Sequence, residues 1–263
     1  MMGWPRWFQK RLKQRASPRP VEEDPLAELR EMLFADESLE SAARFAASRG
    51  ELTGKNAAWG FFARAADRLR EHHREGAIRE LQEMLVQHGD DSRFRLLAWH
   101  CLRWLGQHPD RQESARILGI IIECEQWQRP DILAVYADGT ARLLCPRRGF
   151  FGFEEPSSEV KEVAQWFVQT GQALVATQPP LQGPRPAPPS GAEFRVSVLT
   201  PAGPRIQQGT WDALRSEART APILQAAVAV RLRLGAEADG LDEAPEKAGP
   251  GPSPPPTYGT PRH

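Results

Sequence analysis

The stretch "ILAVYADGTARLL", residues 132–144, constrains the fold more than any other part of the chain. Two apolar runs flank Asp138-Gly139, and Asp-Gly closes tight hairpins because both residues tolerate positive φ. A two-residue type I′ turn here sets Tyr136 opposite Ala141, Ala134 opposite Leu143 and Ile132 opposite Cys145. Those six side chains form one face, apolar except for the Tyr hydroxyl. The other face then holds Leu133, Val135, Ala137, Thr140, Arg142 and Leu144. This register predicts one face packed on helices and the other only partly covered.

The neighbouring segments extend the sheet. "ARILGIIIECE" carries the β-branched run Ile120-Ile121-Ile122, which reads as a buried strand. "FFGFEE" reads as a fourth strand after a turn at "PRRG". "EFRVSVLT" alternates Phe194, Val196 and Val198 against Arg195 and Ser197, and "PAGP" turns it into a short partner, "RIQQG". Between these pairs, Ser157 or Ser158 caps a helix over "SEVKEVAQWFVQTGQALVA". "PPLQGPRPAPPSG" follows as an exposed connection, since proline cannot enter a central strand or helix interior. "WDALRSEA" and "PILQAAVAVRLRLG" read as two closing helices.

Upstream, the period is helical. Asp24-Pro25 is a capping residue followed by proline at the first helical position. Apolar stripes then mark five helices: Leu26, Leu29, Leu33 and Phe34; Ser38 through Phe45; Trp59, Phe62, Ala66 and Leu69; Ile78, Leu81 and Leu85; and Phe94, Leu97, Cys101 and Trp104. Their short connections predict a compact antiparallel bundle. The fold class expected is α+β: an N-terminal helical region followed by an antiparallel β-meander with packing helices. The chain divides into a basic flexible segment over 1–23, a helical region over 24–109, an α+β domain over 110–235, and a Pro/Gly-rich, acidic tail over 236–263 expected to be disordered.

The 34 basic and 34 acidic residues cancel, so net charge gives no reason to expect nucleic acid. Lysine occurs only at 10, 13, 55, 161 and 247, against abundant Arg, Ala and Pro, a composition of GC-rich bacterial genomes. Three scattered cysteines, Cys101, Cys124 and Cys145, fit a reducing compartment. No apolar run approaches the ~20 residues that cross a bilayer, and the N-terminus has no apolar signal core. A cytoplasmic location is expected.

The N-terminal Trp4, Trp7 and Phe8 lie at helical spacing beside Arg11, a candidate contact for an anionic membrane surface or a partner's groove. A flexible tail docking one Trp is the simpler expectation, because so short a helix is marginal alone. Arg142, Arg147 and Arg148 at the open end of the hairpin are a candidate anion patch, weighed against plain solvated turn residues. Five histidines fall between 72 and 108, but His72-His73 and His100-Cys101 are adjacent on helices and point apart, so no metal is expected. Glu123 and Glu125 share one strand face and read as edge-protecting charges rather than an acid–base pair. Cys145 has no histidine near it in the sheet half and reads as a buried thiol. Phosphate-loop, zincin, EF-hand and nucleophile-elbow motifs are all missing, and no cofactor is expected.

Three segments together, "LGIIIECE", "DILAVYADGTAR" and "RVSVLTPAGP", with the later "GTW", resemble a family of uncharacterised bacterial proteins sharing a hairpin of the form L-A-x-Y-x-D-G-x-A-R. The resemblance spans roughly residues 95–235 and implies no activity. The expectation for function is a non-catalytic cytoplasmic bacterial protein that acts by binding a protein partner. The alternatives are an enzyme with its site between sheet and helices, or a peripheral membrane-associated protein held by Trp4 and Trp7. A concave site with converging, perturbed ionisable groups would mark an enzyme. An exposed apolar patch would mark a binding module.

Overall fold

The computed structural model describes residues 25–49, 52–126, 129–145 and 149–242. Helices α1 (Pro25–Phe34), α2 (Leu39–Ser48), α3 (Ala57–Arg70), α4 (Arg74–His88) and α5 (Ser92–Trp104) follow the apolar stripes of the sequence. Ser38 caps α2 by accepting from the Ser41 N–H, and Asp91 caps α5 through Phe94. A short α6 (Arg111–Ser114), which the stripes do not signal, leads into the sheet.

Among the described residues the strands are β1 (Gly119–Gln126), β2 (Arg129–Tyr136), β3 (Ala141–Cys145), β4 (Gly149–Phe153), β5 (Glu193–Leu199) and β6 (Arg205–Thr210). They form one antiparallel sheet in the order β4-β3-β2-β1-β5-β6. The fold is therefore α+β, and the second β-pair joins the meander through β1. The expected single helix after Ser157 is split into α7 (Ser158–Gln169) and α8 (Gln172–Thr177). The break sits at Gly171, where a Cβ would come within 3.1 Å of both Ile120 and Val198. Helices α9 (Trp211–Ser216) and α10 (Ala221–Asp242) close the fold. Helix α10 continues past 235, so the first residues assigned to a disordered tail are helical; the remainder of that tail, like segment 1–23, lies outside the described residues.

The hairpin register differs from the sequence expectation by one residue. Val135 pairs with Ala141, Ala134 with Arg142, Leu133 with Leu143 and Ile132 with Leu144. The loop has three residues, not two. The Gly139 N–H reaches the Tyr136 carbonyl, the Tyr136 N–H reaches the Thr140 carbonyl, and Gly139 sits at φ +90°. This is a type I turn closed by a left-handed glycine in a bulge. Because strand side chains alternate, a one-residue slip sends every β3 side chain to the opposite face. Arg142 and Leu144 thus join Ile132, Ala134 and Tyr136, while Leu143 joins Leu133 and Val135.

Both faces of the sheet are covered, correcting the half-open sheet expected. On one face, Ile121, Ile132, Ala134, Tyr136, Leu144 and Leu199 share a core with α1–α5. The helical region and the α+β region therefore meet in one hydrophobic cluster. On the other face, Ile120, Ile122, Leu133, Val135, Val196 and Val198 pack against α7–α10. The Tyr136 hydroxyl donates to the Leu33 carbonyl at the end of α1, tying the hairpin to the helical layer.

Candidate functional site: a cleft beside a pinned proline-rich strap

The face toward α1–α5 buries charge. Glu123 is 1% exposed on the central strand β1, so it is no edge guard. Arg30 of α1 binds its carboxylate through both Nε and Nη2, and Arg195 of β5 lies 3.5 Å away on the other side. Arg195 is also 1% exposed. Its remaining N–H groups reach Gln208 Oε1 at 2.9 and 2.6 Å, the Pro186 carbonyl at 3.1 Å and the Ala187 carbonyl at 2.6 Å. A buried guanidinium is tolerated only when its donors are spent in this way.

Those carbonyls belong to the connection over 178–192, expected from its prolines to be an exposed loop. Most of it is exposed as expected, Gln182–Pro184 and Pro186–Pro188 included, but it is also pinned to the fold as a strap. Besides Arg195, Arg30 donates to the Pro186 carbonyl at 3.3 Å. Arg185 grips Asp36 with two bonds of 2.7 and 2.9 Å and stacks 3.9 Å from the Phe34 ring centroid. Proline composition signals a chain that cannot enter the sheet; it does not reveal arginines on distant elements that donate to its carbonyls.

Beside the strap lies a cleft of about 1190 Å³ between α1, α5, the β1–β2 hairpin end and the turn after β5. Helix α5 contributes His100, Arg103 and Trp104, which share a face at i, i+3 and i+4. Trp104 is 69% exposed at the rim. Arg103 is anchored by donating to the Pro201 carbonyl. His100 is held toward the neutral form, first by burial and then by Arg103, with Asp36 opposing. Prolines from the strap (Pro180, Pro184, Pro188) and from Pro109, Pro130 and Pro204 form much of the remaining wall. Glu125 accepts the Gly191 N–H at 2.7 Å. Burial and the neighbouring Asp131 push the Cys124 thiol up to about 11, so it is protonated at neutral pH.

The residues singled out from sequence fare differently. Arg142 is 4% exposed, so it is neither a solvated turn residue nor a surface anion patch. It lies 5.0 Å from the Tyr136 ring centroid and holds the Glu154 carboxylate at 2.8 and 2.9 Å, while its Nε and Nη1 have no hydrogen-bond partner. Its companions Arg147 and Arg148 lie outside the described residues, as do Trp4, Trp7, Phe8 and Arg11. Asp138 does more than shape its turn: it accepts from Thr140 and, at 2.8 Å, from the Ser92 N–H at the start of α5. Cys145 lies 3.9 Å from the Arg231 guanidinium, which pairs with buried Asp131 on the opposite face. The cleft residues His100, Arg103 and Trp104 were missed as a group. Their one sequence signal is an aromatic at helical spacing from a stripe, which also describes a core residue.

Comparison of the chain with protein-family models, curated proteins and solved structures gives no match. Among the described residues no helix is long and apolar enough to cross a membrane.

Proposed function

We propose that the protein is a non-catalytic binding module and that the cleft receives an extended, proline-rich segment of a protein partner. The observation that carries this is Trp104, an exposed tryptophan at the rim of a proline-walled cleft whose charges are largely committed to ion pairs and backbone carbonyls. Proline-rich segments dock on aromatic-lined grooves because they are stiff, lose little entropy on binding, and offer carbonyls to donors such as an indole N–H. Catalysis would call for a nucleophile or base working with a second free group. The cleft wall carries His100 and His108, and His100, held toward its neutral form, is the observation that favours an enzyme as the second reading. The three cysteines form no disulfide, which fits the cytoplasmic, bacterial setting proposed from composition.

The test is a titration of the full-length protein, ¹⁵N-labelled at tryptophan, with a decaproline peptide. The Trp104 indole resonance should move saturably, and Trp104→Ala should abolish binding while leaving the fold intact. An unmoved indole at millimolar peptide would overturn the proposal. Loss of a hydrolytic or transfer activity in His100→Ala would favour the enzyme instead.

A further inference from the structure

Two of the guanidiniums lining the cleft are spent on carboxylates: Arg30 on Glu123 and Arg185 on Asp36. Arg103 of α5 differs. Among the described residues its bonded partner is the Pro201 carbonyl, which offers no charge to balance its own. Burial works against the Arg103 charge, and the carboxylate that favours it, Asp36, is already held by Nε and Nη2 of Arg185. A guanidinium nevertheless stays protonated in a protein. The cleft wall therefore carries a partly desolvated positive charge with no counter-ion of its own among the described residues.

Two neighbours point the same way. His100, one turn before Arg103 on the same helix, is held toward its neutral form by burial and then by Arg103, with Asp36 opposing and Arg185 adding to the effect. Two guanidiniums and one carboxylate thus act on the imidazole. Arg185, 9% exposed at its side chain, has its Nη1 enclosed and without a hydrogen-bond partner. A buried donor left so costs free energy that an added acceptor recovers. Around His100 the balance is one positive charge unmatched and one donor unfilled. A carboxylate brings one negative charge and two acceptor oxygens, and so answers both. A phosphoryl group brings nearly two charges against the one.

We propose that the partner's segment carries a carboxylate beside its prolines and that Arg103, flanked by His100 and Arg185, receives it. Arg103 directly precedes Trp104, so the acid falls next to the proline that covers the indole. This rests on the cleft being a binding site for proline-rich segments. It adds the charge of the ligand, which the exposed tryptophan and the proline walls do not imply.

The experiment titrates the full chain at low salt and reads the Trp104 indole resonance. The probes are nine-proline peptides, capped at both ends, with Glu at the first or the last position, each beside its Gln twin. Either direction of the segment along the cleft then presents the acid. Decaproline with an amidated or a free C-terminus completes the set. The proposal expects a Glu peptide to bind roughly three- to tenfold more tightly than its Gln twin, and the ratio to shrink as salt rises. In Arg103→Gln the ratio should fall to about one, and Arg103→Lys should keep part of it. A ratio between twins does not depend on whether either substitution weakens the cleft for both peptides alike. A gain from the free chain end alone would uphold the carboxylate and assign it to a partner's C-terminus rather than to a side chain. Equal affinities within every pair would overturn the carboxylate and leave the proline reading standing. Binding by none of the peptides would overturn both. A preference for Glu that Arg103→Gln leaves intact would overturn the assignment to Arg103.

Discussion

Where the C-terminal helices cover the sheet, the strands offer Ile, Val, Leu and Phe, with Asp131 and Arg205 as the buried charges. Where the N-terminal helices cover it, the same strands offer Glu123, Arg142, Arg195 and Ser197 among the apolar side chains. The first interface closes. The second cannot close on hydrocarbon alone, because each buried charge needs partners. Arg30 and the strap supply them for Glu123 and Arg195, and the space left beside the strap is the cleft. A polar sheet face thus leaves a cleft of ligand size, and the apolar face is filled by α7–α10.

The largest effect should come from breaking the polar network. Arg195→Ala leaves Glu123 with one cation, takes the guanidinium donors from Gln208 Oε1 and the Ala187 carbonyl, and leaves the Pro186 carbonyl with Arg30 alone, at a cost of about 3–5 kcal/mol, read from urea midpoints. On the apolar face Arg231→Ala should cost less, about 1–3 kcal/mol. The Arg231 side chain is 40% exposed, so water can take its place on Asp131. Equal costs would remove the energetic distinction between the faces.

A second contrast is pH. Glu37, buried in the helical layer 3.7 Å from Arg93 and with one oxygen lacking a partner, is pushed up by burial to about 7 from its ordinary 4.5. Between these values the folded state holds a proton that the unfolded state has lost. Stability should therefore fall as pH rises from about 4.5 to about 7, by ~3 kcal/mol, and level off above. Glu37→Gln should flatten that slope. A slope unchanged by the substitution would place its origin elsewhere.

The hairpin provides the next two tests. Gly139→Val forces a β-branched residue to φ +90° and sets its Cβ 2.4 Å from Lys161 Cγ. The expected cost is about 1–3 kcal/mol. Arg142→Met should change stability by less than about 1 kcal/mol. The substitution removes two unpartnered buried nitrogens and fills the space with hydrocarbon, while Glu154, 47% exposed at its side chain, returns to water. The two buried arginines of this face then differ because one has all its donors paired and the other does not.

What the sequence disclosed follows from range. Stripes, caps and the Asp-Gly turn act over a few residues, and the helices and strands they mark are present. The hairpin register was misread because Asp-Gly also fits a three-residue loop, and Ala137 gives no local sign of being loop or strand. That one residue placed Arg142 on the wrong face. Glu123 looked like a surface charge because its partners, Arg30 and Arg195, lie on other elements far along the chain. The cleft was illegible for the same reason: it is made of segments far apart in the chain, and only their packing brings Trp104 beside the strap.

The sharpest comparison between the two sides uses two tryptophans in one spectrum. Trp104 belongs to the helical layer on the polar face and is 69% exposed; Trp166 belongs to α7 on the apolar face and is 51% exposed. Both are accessible, so non-specific adsorption of a proline-rich peptide would perturb both. Titrating the full chain with decaproline should shift the Trp104 indole saturably and leave the Trp166 indole in place. A shift of Trp166 alone, or equal unsaturating shifts of both, would contradict the assignment of function to the cleft.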